Sequence, residues 1–195
     1  MADTNLLTSC SDEDLLNRFC TGQTEAFGVL VRRYERELYG YLRRYLGDGN
    51  LAEDVFQNTF LQLYLKSGQY EPGRPVRPWL YTIATNLARD YFKSAAVRQR
   101  WRGGDEEEAL LQLYDSAPGP EERALVAEQG SEVRAALAQL REEYRIVLLL
   151  RFYQGFSLQE IAETLQIPLG TVKSRLSVGV HRLRSVLAPV QKGVD

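Results

Sequence analysis

The chain has 195 residues, with 24 Lys and Arg against 26 Asp and Glu for a net charge of -2, and 44% of it is hydrophobic. Those values describe an ordinary soluble globular protein of one domain or two small ones, and they exclude large multidomain machinery. The longest uninterrupted apolar run, Ile146 to Leu150, is far short of the roughly 20 residues of a membrane span, and the acidic N-terminus lacks the basic and apolar regions of a secretion signal. A cytoplasmic protein without membrane insertion is expected.

From Asp12 to Lys93 apolar residues recur at helical spacing. Phe27, Leu30, Val31, Tyr34, Leu38, Tyr41, Leu42 and Tyr45 advance in steps of three and four, with Arg32, Arg33, Arg36 and Arg43 on the other side. At about 100° per residue this is one stripe of a long amphipathic helix. Gly47, Asp48 and Gly49 break it, and Asn50 followed by Glu53 predicts a capping box at the start of the next helix, Leu51 to about Leu65. The Gly- and Pro-rich segment 67–78 is a loop, and Pro78 suits the first turn of a helix running to about Ser94. In that helix Leu80, Ile83, Ala84, Leu87, Ala88 and Tyr91 form the packing stripe, opposite Thr82, Asn86, Arg89, Asp90 and Lys93.

Residues 96–125 change character, with a basic start at Arg98, Arg100 and Arg102, the acidic run Asp105 to Glu108, and then the breaker string SAPGP. They read as a linker between two helical domains, 11–95 and 126–190. Helical spacing returns with Val133, Leu137, Leu140, Tyr144, Val147, Leu148 and Phe152, ending near Gly155. Ser157 with Glu160 predicts a capping box for a short helix that stops around Ile167 and Pro168. A longer helix follows from near Gly170, carrying Val172, Leu176, Leu183 and Leu187 inward, and Pro189 ends it. The fold class is all-α, two small helical domains with a helix-turn-helix in the second.

In a helix-turn-helix the second helix enters the major groove by its N-terminal turns, which need hydrogen-bonding or positive side chains on the outside. Thr171, Lys173, Ser174 and Ser177 meet that need; a hairpin used only for packing is the plainer alternative. Arginine outnumbers lysine 20 to 4, which suits phosphate and guanine recognition, although codon usage explains the ratio equally well. Net charge is -1 over residues 1–95, -3 over 96–125 and +2 over 126–195. An acidic chain with a weakly basic C-terminal third is a poor non-specific DNA binder by itself. Cys10 and Cys20 are too few for a disulfide framework, and His181 lies far from both in sequence, so no metal and no cofactor are expected. No phosphate loop, dinucleotide glycine string or nucleophile–base pair is visible, so no enzymatic activity is expected.

The string SLQEIAETLQIPLGTVKSRL resembles the minus-35 reading domain of bacterial sigma factors. LAEDVFQNTFLQLY and RPWLYTIATNLARDYFK are similar to the core-polymerase-binding and minus-10 reading parts of the same family. All three together, without a further domain between the halves, resemble the small extracytoplasmic-function (ECF) group of the sigma-70 family over about residues 11 to 188. The resemblance implies an initiation factor that binds core RNA polymerase and directs promoter recognition, DNA melting and transcription initiation. It implies that Glu53, Asp54, Gln57 and Phe60 face the clamp of the largest polymerase subunit; on composition alone the two carboxylates are simply favoured by the helix dipole. It places the minus-10 surface at Tyr70, Arg74, Arg77, Asn86, Arg89 and Lys93, where an unstacked base is held; Trp79 reads as core, because an aromatic at the buried edge of a helix start more often packs than binds a ligand. Minus-35 contacts fall to Thr171, Lys173, Ser174, Arg175, Ser177, Val178 and His181.

Where relatives continue the reading helix with an arginine-x-arginine string, this chain has Ser177, Val178, Gly179, Val180 and His181. Val178 then points outward with Ser174 and His181, toward a thymine methyl, or the minus-35 contact is simply weaker. By analogy, the linker's acidic run mimics nucleic acid in the polymerase cleft, or is a solvated spacer, and an anti-sigma partner occupies apolar grooves between the domains. Two other readings carry distinct signatures. A stand-alone dimeric operator-binding regulator needs a more basic chain and no clamp-facing helix, and a helical adaptor leaves no DNA footprint even with polymerase.

Overall fold

The computed structural model describes residues 7–100 and 127–187; the acidic run Asp105 to Glu108 and Pro189 lie outside them. Among the described residues there are eight α-helices and no strand: α1 (Asp12–Cys20), α2 (Thr24–Leu46), α3 (Gly49–Lys66), α4 (Val76–Arg100), α5 (Ala127–Ala138), α6 (Glu142–Leu148), α7 (Leu158–Leu165) and α8 (Leu169–Leu187). None is long and apolar enough to cross a membrane.

Helix α1 starts where Ser11 Oγ accepts the Asp14 N–H, and Asp12, Glu13 and Asp14 place three acids against the positive end of the helix dipole. Helix α2 is the axis of the first unit and buries the stripe that its periodicity predicts, including Leu30, Tyr34, Leu38, Tyr41, Leu42 and Tyr45. It ends on Gly47, whose φ of 79° is the left-handed conformation that glycine adopts without a Cβ penalty. The next cap is a correction to the sequence reading. Asp48, not Asn50, is the N-cap of α3, its Oδ1 accepting the Leu51 N–H at 3.0 Å. Because Asp48 follows the left-handed Gly47 directly, the turn closes two residues earlier than expected. Asn50 becomes an exposed first-turn residue, and the third helical position is Leu51, so no capping box forms.

A short 3₁₀ turn, Ser67–Gln69, leads to α4, with Pro78 in its first turn. Helices α1, α3 and α4 pack around α2, and a buried hydrogen bond of 2.9 Å joins Tyr41 Oη to Thr85 Oγ1. The N-terminal segment is tied down by Asp12, which accepts from Arg33 and from Tyr34.

The second unit is built on the apolar run Ile146 to Leu150, all buried, which spans the end of α6 and the turn that follows it. The helical pattern read as continuous from Val133 to Gly155 is divided. Helix α5 ends at Ala138, α6 starts at Glu142, and one π-helical turn, Leu149–Tyr153, ends the run. The Ser157–Glu160 capping box forms as predicted, with both reciprocal bonds present. Gln166 then takes φ 54°, the only positive φ outside glycine among the described residues, and turns the chain toward α8. Along α8 Val172 is buried and Leu176 and Leu183 are half-buried, but Leu187 is 40% exposed, so the inward stripe fades at the last turn.

Candidate nucleic-acid interface

The two helices of the helix-turn-helix, α7 and α8, meet across residues 166–168, with Thr171 and Val172 N–H groups both donating to the Pro168 carbonyl. This geometry leaves Lys173, Ser174, Ser177, Val178 and His181 exposed on α8, and Thr171 half-buried. Val178 is 38% exposed, in line with its expected outward direction. Arg175 is less free, because its guanidinium pairs with Glu143 of α6 at 3.3 Å. The Arg182 guanidinium lies over the Tyr144 ring at 4.8 Å, a cation–π contact that spends a basic group on packing.

On α3, Glu53, Asp54 and Gln57 are exposed on one face, with Gln57 Nε2 donating to Glu53 Oε1 at 3.4 Å. Phe60 departs from the expected site. It is 6% exposed and stacks edge-on against Phe27 and Phe56, because its position falls on the buried side of α3 beside Thr59 and Leu63. The exposed stripe instead continues through Leu61 and Leu65, 52% and 63% exposed, which follow Gln57 at intervals of four. An apolar pair on an otherwise polar face was the signal available in the sequence.

The six minus-10 candidates do not share one environment. Arg74, Asn86 and Lys93 are exposed. Tyr70 is half-buried, stacked on Trp79 with ring centroids 5.8 Å apart, and its hydroxyl donates to the Arg74 carbonyl. Arg77 and Arg89 are engaged by the second unit. Arg77 Nη2 donates to Glu37 Oε1 at 2.5 Å and to the Gln154 carbonyl at 2.6 Å, and its guanidinium lies 4.5 Å from the Phe156 ring centroid. Arg89 Nε donates to Glu142 Oε1 at 3.0 Å, and the Tyr45 hydroxyl donates to the same oxygen.

Between these two arginines Tyr81 Oη lies 2.8 Å from Gln154 Oε1 and 3.1 Å from Glu37 Oε1, and its ring meets Phe156 edge-on. Arg145, 2% exposed, reaches from α6 between Tyr45 and Phe92 of the first unit. Burial and the nearby carboxylates Glu37 and Glu142 push the Tyr81 and Tyr45 hydroxyls well above their ordinary pKa. Tyr81, Glu37, Glu142, Gln154 and Phe156 were not singled out in the sequence. Their spacing gives no sign of the contacts they make, several of which form only where the two units meet.

A helical chain of two units, the second holding a helix-turn-helix with hydrogen-bonding side chains exposed on its second helix, has the architecture of a DNA-reading factor. Residues 30–98 match the Sigma-70 region 2 family model and residues 131–183 match Sigma-70, region 4. The chain is 32% identical to the ECF RNA polymerase sigma factor SigW of Bacillus subtilis, over 85% of this chain and 91% of that one. Among solved structures it is similar to CnrH in complex with the cytosolic domain of CnrY, with TM-score 0.66 and 26% identity over 90% of this chain and 96% of that chain. It is also similar to the sigma factor RpoE in complex with the anti-sigma factor NepR from Bartonella quintana, with TM-score 0.59 and 25% identity over 79% and 91%. The chain belongs to the ECF sigma factors of the sigma-70 family, which are non-enzymatic transcription initiation factors.

Proposed function

We propose that groups on α8 and on the α3–α4 side of the molecule divide the work of this sigma factor by element. Thr171, Lys173, Ser174, Arg175, Ser177, Val178 and His181 read the minus-35 element from the major groove. Tyr70, Arg74, Arg77, Asn86, Arg89 and Lys93 hold the minus-10 strand, and Glu53, Asp54 and Gln57 meet the clamp of the largest polymerase subunit. Phe60 supports that last face from below, and Leu61 and Leu65 extend it with apolar contact. The domain limits 11–95, 96–125 and 126–190 belong to the same reading, as do a cytoplasmic location and regulation by an anti-sigma partner, for which the RpoE–NepR likeness is the support.

The observation that carries the assignment is the exposure of Lys173 and Ser174 near the start of α8, followed along the helix by the exposed Ser177 and His181, while its inner side at Val172 is buried. Hydrogen-bonding side chains so placed meet base edges and phosphates. Footprints of the reconstituted holoenzyme test it. Lys173→Ala with Ser174→Ala is expected to remove protection of the upstream element while the downstream element stays protected, and Asn86→Ala with Lys93→Ala to do the reverse. Loss of both elements by either pair contradicts the division.

A further inference from the structure

We propose that α1 braces the loop between α3 and α4, with Glu13 as a positioning residue for recognition of the minus-10 element. The inference rests on the assignment of Tyr70 and Arg74 to that element, and on how the loop that carries them is held. Residues 71–75 are all exposed, and the turn closes on itself: the Arg74 N–H donates to the Glu71 carbonyl at 3.1 Å and the Tyr70 hydroxyl to the Arg74 carbonyl at 2.8 Å. The Tyr70 ring rests on Trp79. Such a turn carries its own shape, but the direction of its backbone is set at its two ends.

Helix α4 begins at Val76 directly after Pro75, whose ring offers no oxygen to cap the first turn. Glu13 supplies that acceptor from another helix. Its Oε1 takes the Val76 N–H at 3.1 Å, and a carboxylate there also suits the positive end of the α4 dipole. At the other end of the loop the Cys20 thiol donates to the Ser67 carbonyl at 3.3 Å, a weaker contact. Glu13 and Cys20 are seven residues apart, which puts them on one side of α1 and about 10 Å apart along its axis. One face of α1 therefore spans both ends of the loop. After burial, the Glu13 charge is the largest influence raising the Tyr70 hydroxyl above its ordinary pKa, so the brace also lies beside the ring assigned to the unstacked base.

A loop fixed before DNA arrives loses less freedom on binding and holds Tyr70 and Arg74 in one arrangement. Glu13 thus contributes to base discrimination in the minus-10 element without touching DNA.

Two substitutions in the full chain separate reach from charge. Glu13→Asp keeps the carboxylate but falls one methylene short of the Val76 N–H, and Glu13→Gln keeps an oxygen at that place without the charge. Urea denaturation checks that both are folded. Each is reconstituted with bacterial core polymerase, and open-complex formation is compared between a promoter recovered from holoenzyme footprints and copies altered at single minus-10 bases. Glu13→Asp is expected to lower that discrimination about fivefold, the equivalent of one lost helix cap, with core affinity and minus-35 protection unchanged. Glu13→Gln is expected to keep most of the parent's discrimination.

Discrimination equal to the parent's in Glu13→Asp, or equal loss in both variants, overturns the brace. So does a loss that is uniform over promoter sequences and extends to core binding, which is the mark of a general structural role. Tyr70→Ala and Arg74→Ala, measured in parallel, tell why. If they lose discrimination while Glu13→Asp does not, the minus-10 surface is correctly assigned and only its bracing is refuted. If they too discriminate as the parent does, the assignment itself falls and the brace falls with it.

Discussion

A single carboxylate settles where α3 begins. Asp48 Oδ1 accepts the Leu51 N–H, satisfying one of the donors that a helix start leaves open. Asp48→Ala is expected to lower stability by about 1 kcal/mol in urea denaturation, and Asn50→Ala to change it little; equal losses would contradict the cap. Residue identity limited the sequence reading here, because Asp and Asn are both good caps and only the position of Gly47 decides between them. Gly179 tells a similar story on α8. A Cβ there would stand 3.3 Å from Leu148 Cδ1 and 3.4 Å from Tyr144 Cβ, so a small residue lets α8 cross α6 closely. Gly179 is buried and faces α6 rather than solvent.

At the scale of elements, the helices with strong period were legible. The stripe on α2, the capping box of α7 and the inward Val172 of α8 all follow from spacing. The division between α5 and α6 was not legible, because Leu140, Tyr144, Val147 and Leu148 keep helical spacing through a break at residues 139–141. Four tyrosines on α2 and α4 yield a measurable consequence. Burial is the main cause that raises the hydroxyls of Tyr34, Tyr41, Tyr45 and Tyr81, and it is aided by Asp12 at Tyr34, Glu142 at Tyr45 and Glu37 at Tyr81. A folded pKa above the unfolded value near 10 means that the stabilisation is fully present below pH 10 and is lost as pH rises beyond it. Ultraviolet titration is expected to show these tyrosines ionising only together with alkaline loss of helix. Ionisation of these four near pH 10 with helix content intact would contradict the burial.

For the whole molecule, two helical units and a helix-turn-helix were legible from periodicity, breakers and family strings. Their mutual packing was not. Glu142 reads as a helix-start acid, Gln154 as the residue before a terminating glycine, and Phe156 as core, and nothing in their spacing points to Arg89, Arg77 or Tyr81 some 50 to 80 residues earlier. Long-range polar pairing of this kind has no period to betray it. It also gives two of the six minus-10 candidates a second role, which a linear reading of their charge does not anticipate.

This sigma factor is expected to read both promoter elements as a subunit of polymerase and not alone. The most direct measurement is a footprint of the purified chain on genomic fragments, with and without bacterial core polymerase. Protection spanning the minus-35 and minus-10 elements only in the presence of core is the predicted result. Equal protection without polymerase, or failure to bind core, would contradict it.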